Sequence, residues 1–197
     1  MRDALAWLRG YIYGVTCRLF RPNIEIGSGL RIYKRLSIVG NGTVVLGKNC
    51  LIGEALGDSS QFVTLYTHDE NAMIRIGDDV ALYAARVSAK YEISIGDGVL
   101  IEQAGLLDTD FHSIDKSRKD PEHETRERCR IVVGNRVSIG ARSFVTKGVT
   151  IEDDVLVLPG SVVTSLIKAG SCVGGNPAKP IMSQSGRHLT GSKSALG

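Results

Sequence analysis

With 197 residues, 43% of them apolar and 6% aromatic, the chain is long enough for one domain with a real core, packed by branched aliphatic side chains more than by rings. A net charge of +3, with no lysine/arginine run interleaved with aromatics, excludes the nucleic-acid modules. Cys17, Cys50, Cys129 and Cys172 form no C-x-x-C pair, which excludes a cysteine-held zinc and a disulfide framework; with no stretch that reads as a cleavable signal peptide, reduced thiols in the cytoplasm are expected.

The chain opens on residues 1–23, whose stretch DALAWLRGYIYGVTCRLFR spaces Leu5, Leu8, Ile12, Val15 and Leu19 by threes and fours. That spacing predicts an amphipathic helix. It is too short, and too interrupted by Arg9 and Arg18, to span a bilayer. Capping the open end of a coil built from residue 24 onward, or packing on a neighbouring subunit, is one destination. Trp7, Tyr11, Tyr13 and Phe20 with Arg2, Arg9, Arg18 and Arg21 also suit contact of residues 3–21 with the inner face of a membrane.

From residue 24 a sixfold grammar begins. Ile26-Gly27, Leu46-Gly47, Ile52-Gly53, Ile76-Gly77 and Ile95-Gly96 each open a hexad, and Ile95, Ile101 and Leu107 run in phase until Ser113. Beyond a break the register is unbroken: Val133, Ile139, Val145, Ile151, Val157 and Val163, with Ala169 and Gly175 as a weaker continuation. A second apolar or small position comes four residues later, at Val137, Ser143, Val149, Val155, Ser161, Ile167 and Val173. A helix repeats near 3.6 and a flat strand at 2, so a period of six predicts short straight sides joined by regular corners, winding round an axis. The fold class is all-β, a coil over residues 24–181. Gly before Asn or Asp, as in Gly134-Asn135, Gly77-Asp78 and Gly96-Asp97, suits corners whose backbone conformations are costly for other residues.

The break, residues 113–130 (SIDKSRKDPEHETRERCR), is almost wholly polar and predicts a loop inserted in the coil, where solenoids place binding residues. Arg118, Lys119, His123, Arg126 and Arg128 are its candidates for contacting a ligand. Just before it stands Asp108-Thr109-Asp110-Phe111-His112-Ser113. His112 titrates in the range a general base needs. Asp108 and Asp110 alternate, so in extended chain they share a face, and either one is a candidate to orient the imidazole. Glu102, on the preceding hexad, is a further candidate for that task, though a solvated corner is its simpler role. Residues 182–197 read as a mobile Ser/Gly-rich tail without chemistry.

The hexad Val133-Gly134-Asn135-Arg136-Val137, the run Val157-Leu158-Pro159-Gly160-Ser161-Val162-Val163-Thr164 and the closing Gly174-Gly175-Asn176-Pro177-Ala178-Lys179 resemble the hexapeptide-repeat acyltransferases. The branch of galactoside, maltose and colanic-acid O-acetyltransferases is the most similar, over about residues 24–181. The resemblance implies a left-handed parallel β-helix, a homotrimer with sites between subunits, and acetyl-coenzyme A as co-substrate with no metal. It implies acetyl transfer to a hydroxyl of a saccharide or of a nucleotide- or lipid-linked sugar, as in surface polysaccharide biosynthesis.

By the same resemblance His112 takes the place of the catalytic histidine. Ala141 and Gly160 line the groove for the pantetheine arm, and Lys168, Asn176 and Lys179 meet the coenzyme phosphates. The match is partial. Val163-Thr164-Ser165 stands where many relatives have Val-Thr-Lys, Pro159 offers no N–H, and Ala81-Leu82-Tyr83-Ala84-Ala85-Arg86 lacks the acceptor-site asparagine of the galactoside and maltose enzymes. N-acetylation of an amino sugar and a non-catalytic trimeric binding protein remain the alternatives. A trimeric zinc hydratase on a similar coil needs three histidine ligands, and His68, His112, His123 and His188 lack the spacing for such a set.

Overall fold

The computed structural model describes residues 2–54, 60–110 and 124–181. Helix α1 (Arg2–Phe20) comes first, and the chain then winds in rungs of three short strands. The first rung is β1 (Ile24–Ile26), β2 (Arg31–Ile32) and β3 (Leu36–Val39), and the second β4 (Thr43–Leu46), β5 (Leu51–Gly53) and β6 (Val63–Thr67). The third is β7 (Met73–Ile76), β8 (Ala81–Tyr83) and β9 (Arg86–Ala89), and the fourth β10 (Glu92–Ile95), β11 (Leu100–Glu102) and β12 (Gly105–Leu107). After the single turn α2 (Arg126–Cys129) come β13 (Ile131–Val133), β14 (Ser138–Ile139) and β15 (Phe144–Val145), then β16 (Thr150–Ile151), β17 (Leu156–Val157) and β18 (Val162–Val163). The ends are β19 (Cys172–Gly174) and β20 (Lys179–Pro180).

Every third strand stacks in parallel. The first sheet is β1-β4-β7-β10-β13-β16, the second β2-β5-β8-β11-β14-β17-β19-β20, and the third β3-β6-β9-β12-β15-β18. The pairs Val132↔Thr150, Ser138↔Leu156 and Phe144↔Val162 are each three hexads apart, so one turn of the coil consumes three repeats. Each turn therefore has three corners: a first corner from the first sheet to the second, a second corner from the second to the third, and a third corner from the third back to the first.

Both sequence registers face the axis. Val133, Ile139, Val145, Ile151, Val157 and Val163 are buried, as are Val137, Val149, Val155, Ile167 and Val173. Each such side chain removed from water contributes about 1.5–3 kcal/mol, and stacked β-branched residues fit the narrow interior. The serines in this register are satisfied inside it: the Ser143 and Ser161 hydroxyls both donate to the Leu158 carbonyl, at 3.0 and 2.5 Å. The weaker continuation fails at Ala169 and Gly175, which are exposed. There Ile167 bridges to Ile151 in place of a full strand, so Lys168-Ala169-Gly170 becomes a turn. Strand β20 then folds back antiparallel on β19, pairing Gly174 with Lys179, and closes the last edge.

The first corner explains the Gly-Asx signature, on different grounds from those expected. Gly77, Gly96 and Gly134 have no left-handed φ; that conformation falls two residues on, at Asp79 (56°), Gly98 (64°) and Arg136 (55°). Their glycine is required by close approach. A Cβ on Gly77 would lie 2.2 Å from Asp97 Oδ1, because each rung's Asx reaches back to the rung before. Asp78 accepts the Lys48 N–H (2.7 Å), Asp97 that of Asp78 (2.7 Å), Asn135 that of Asp97 (2.9 Å) and Asp153 that of Asn135 (2.8 Å).

Helix α1 lies on the first rung, against β1 and β2, through its small side: Ala6, Gly10 and Cys17 are buried there. A Cβ at Gly10 would sit 1.8 Å from the Leu30 carbonyl oxygen. The helix thus approaches by its small residues, while Leu5, Leu8, Ile12, Val15 and Leu19, the stripe a capping helix would bury, are 41–68% exposed.

Candidate active site

The coil is interrupted at the third corner, between Leu107 and Ile131, and two buried carboxylates, Asp108 and Glu124, stand there. Asp108 is fully buried, and its carboxylate accepts three backbone N–H groups of the preceding rung: Lys90 (2.7 Å), Tyr91 (2.8 Å) and Glu92 (2.7 Å). Burial raises its pKa, opposed by those three donors. Asp110 instead points to solvent and pairs with Lys147. The two aspartates therefore do not share a face, contrary to strict alternation, because Thr109 is also buried and breaks it. Asp108 thus holds the β9–β10 turn, with one bond accepted at Oδ1 and two at Oδ2.

Where the chain returns, Glu124 locks the opening. Its side chain, 4% exposed, accepts from the Thr109 hydroxyl (2.8 Å), the Asp110 N–H (3.1 Å) and Lys147 Nζ (2.8 Å), and Lys90 Nζ lies 3.7 Å away. Burial alone would raise the Glu124 pKa, but Lys147, Thr109 and Asp110 together hold it below the usual carboxylate range. Burial likewise works against the Lys147 charge, and the Asp110 and Glu124 carboxylates overcome it and raise that pKa. Next along, Thr125 caps α2, whose Cys129 is buried, and Arg126 binds the Asn71 carbonyl (2.5 Å) and faces Glu92 (3.8 Å). The last residues of the expected 113–130 loop are thus part of the wall, and Arg126 is occupied in holding it. His112, with Arg118, Lys119 and His123, lies outside the described residues.

His68 also stands on this corner. Its Nε2 is 2.6 Å from Ser88 Oγ, its ring meets Tyr66 edge to face at 4.0 Å, and partial burial with the Lys90 charge pushes its pKa down to about 4. Glu124, Lys147, Lys90 and His68 were missed as site residues from sequence, since Glu124 is one of many charged residues of the inserted segment and the other three are ordinary polar residues among the repeats. Among the described residues no three His, Cys, Asp or Glu side chains converge on a metal-sized site.

The second corner is built differently. Ala141-Arg142 and Gly160 succeed one another up this corner, and Gly175-Asn176 comes next, joined by Gly160 N–H to Ala141 O (2.8 Å) and Val162 N–H to Gly175 O (2.9 Å). Among the described residues the Ala141 N–H and the Gly160 carbonyl have no hydrogen-bond partner. Gly160 has φ 72° and open space where a Cβ would be. Toward the N-terminus the same corner opens into a cavity of about 240 Å³ lined by Gln61, Ala84, Arg86, Gln103, Gly105 and Arg142. Neither the Arg86 nor the Arg142 guanidinium has a hydrogen-bond or ion-pair partner among the described residues.

Ala141, Gly160 and Asn176 thus come onto one edge, with Lys179 exposed just beyond on β20. Lys168 does not join them. It lies on the first corner, where it pairs with Glu152 at 3.0 Å, because the shortened last turn places residues 168–170 above Glu152 and Asp153. Glu102, on β11, precedes this second corner and is not part of the Glu124 cluster.

The chain is similar in sequence and in fold to known proteins. Residues 130–165 match the family model "Hexapeptide repeat of succinyl-transferase". Galactoside O-acetyltransferase of Escherichia coli (strain K12) is 32% identical over 96 residues, 46% of this chain and 44% of that protein, so the match spans less than half of either. Among solved structures, an N-acyltransferase from Bacillus cereus, in complex with dTDP-4-amino-4,6-dideoxyglucose and coenzyme A, superposes with TM-score 0.64 at 17% identity, over 86% of this chain and 89% of its own. A polysialic acid O-acetyltransferase gives 0.63 at 20% identity, over 86% and 79%. Six stacked three-strand rungs, buried hexad registers and these matches make the chain a left-handed β-helix of hexapeptide repeats, resembling the acyltransferases of that superfamily.

Proposed function

We propose that the protein is an acetyl-coenzyme A-dependent O-acetyltransferase acting on a saccharide hydroxyl, in the cytoplasm, for surface polysaccharide biosynthesis. The observation that carries the reading is the second corner, where, among the described residues, the Ala141 N–H and the Gly160 carbonyl are unpaired one rung apart on the edge that leads to Asn176 and Lys179. An extended amide chain such as pantetheine satisfies both. Lys179 and Asn176, at the C-terminal end of that edge, then meet the nucleotide phosphates, and the acyl end lies toward the cavity of Arg86, Gln103 and Arg142. Carboxamides and guanidinium groups there offer the donors that sugar oxygens need.

In this reading His112 accepts the proton of the acceptor hydroxyl as the oxygen attacks the thioester carbonyl. The C–S bond then breaks, the acetyl group passes to the oxygen, and the imidazolium returns its proton to the departing thiolate. His68 is a weaker base for neutral pH, with its pKa near 4. The corner that bears Glu124 and Lys147 and the corner that bears Ala141 and Gly160 lie on opposite edges of the third sheet. A homotrimer that sets one protomer's third corner against a neighbour's second corner brings the two halves together, and this supports sites between subunits.

The test is release of free thiol from acetyl-coenzyme A with a panel of nucleotide sugars and oligosaccharides, each as a hydroxyl and a 2-amino form. Release with hydroxyl acceptors is expected. Release with amino acceptors alone would make the protein an N-acyltransferase, and silence across both would leave a binding protein. Mixing His112→Ala with Arg142→Glu subunits tests the shared site: partial recovery of activity is expected if each site takes residues from two protomers.

A further inference from the structure

The coil and its corners leave the outer face of α1 unexplained. Around the helix, Leu8, Ile12, Val15 and Leu19 form a continuous stripe opposite the buried Ala6, Gly10 and Cys17, and they are 54, 55, 41 and 68% exposed. Leu5 and Tyr11, 47 and 66% exposed, widen it. At 100° per residue Arg18 and Trp7 border the stripe on one side and, on the other, Arg9, whose exposed guanidinium makes a long 3.5 Å hydrogen bond to the Tyr33 carbonyl. The acidic residue of the helix, Asp3, is turned away from the stripe, where its carboxylate accepts the Tyr33 hydroxyl at 2.7 Å.

We infer that this face docks α1 on an anionic lipid surface, lying flat, with the stripe among the acyl chains and Arg9 and Arg18 at the headgroups. Charge decides the occupant. A second copy of the helix laid on the stripe would set arginine against arginine with no carboxylate from either helix between them, whereas phosphodiester headgroups complement both edges. Long arginine stems let the guanidinium groups reach the headgroup layer while the leucines sink below it. No described helix is long and apolar enough to cross a membrane, so the contact is peripheral. The small-residue face stays on the coil, and Gly10 keeps the helix backbone against Leu30, so the helix presents its stripe without unfolding.

Trp7 is the chain's single tryptophan, so its fluorescence reports this helix alone. The full-length protein is titrated with vesicles of phosphatidylcholine containing phosphatidylglycerol and with vesicles of phosphatidylcholine alone, in low and high salt. A blue shift and co-sedimentation with the anionic vesicles, weakened at least several-fold by salt, is expected. Leu8→Glu/Leu19→Glu, at exposed positions that leave the packed face intact, is expected to reduce binding at least tenfold. Arg9→Gln/Arg18→Gln is expected to remove the preference for anionic vesicles. Absence of vesicle binding, binding unchanged in the leucine variant, or a lower oligomer mass by light scattering for that variant without vesicles would each overturn the proposal, the last by showing that the stripe joins copies of the chain.

Discussion

The first and third corners use one device to different ends. At the first corner Asp78, Asp97, Asn135 and Asp153 each accept a backbone N–H from the rung before, at the protein surface, in a ladder that repeats with the coil. At the third corner Asp108 does the same for three N–H groups at once, fully buried, and only where the coil is about to be interrupted. Around it Glu124, Lys147 and Lys90 close the opening with ion pairs to a buried carboxylate, whereas the ion pairs of the first corner, such as Lys168 with Glu152, lie at the surface. A repeated corner spreads its stabilisation thinly over every rung. The corner that breaks the repeat concentrates it, because the flanks of a long excursion must be fixed if the residues between are to be presented in one place.

The sharpest test of this contrast is functional. His112→Ala is expected to lower acetyl transfer by about 10²–10⁴-fold while leaving coenzyme binding intact, measured as steady-state turnover beside calorimetric coenzyme affinity. Loss of binding together with turnover would mean that the third corner serves only to hold the fold. Next comes stability: Asp108→Ala leaves three N–H groups without their acceptor in a buried site and is expected to cost about 3–5 kcal/mol in denaturant unfolding. The matching change in the surface ladder, Asp97→Ala, is expected to cost about 1 kcal/mol. Equal costs would erase the distinction between the corners.

Gly77→Ala probes the ladder from the other side. Its new methyl group would press on Asp97 Oδ1 and the Gly96 carbonyl carbon, and an expected loss of about 2–3 kcal/mol separates close approach from backbone conformation as the reason for glycine. The smallest effect concerns pH. The folded pKa of His68 lies near 4, below its ordinary value of 6.5, so the unfolded chain binds a proton first as pH falls. Stability linked to His68 is therefore present above pH 6.5 and lost between 6.5 and 4. An imidazole NMR titration with its midpoint near 4 would bear this out, and a midpoint near 6.5 would contradict it.

The sixfold register of Val133 to Val163 by itself determined the coil, because only inward-facing positions at a fixed period can build so narrow a core. It also marked where the coil stops, since an inserted segment without hexads cannot stack. The same register could not tell that Ala169 and Gly175 leave the core, because small residues fit a turn as well as a side. Only the tertiary structure decided what each carboxylate does: Asp108 and Asp110 look alike in sequence, yet one is buried against three N–H groups of the preceding rung and the other is exposed and paired with Lys147. Likewise the 3/4 spacing of α1 fixed an apolar stripe but not its direction. The close fit of Gly10 against Leu30 turned the stripe outward, a matter of shape between distant residues that periodicity along the chain does not record.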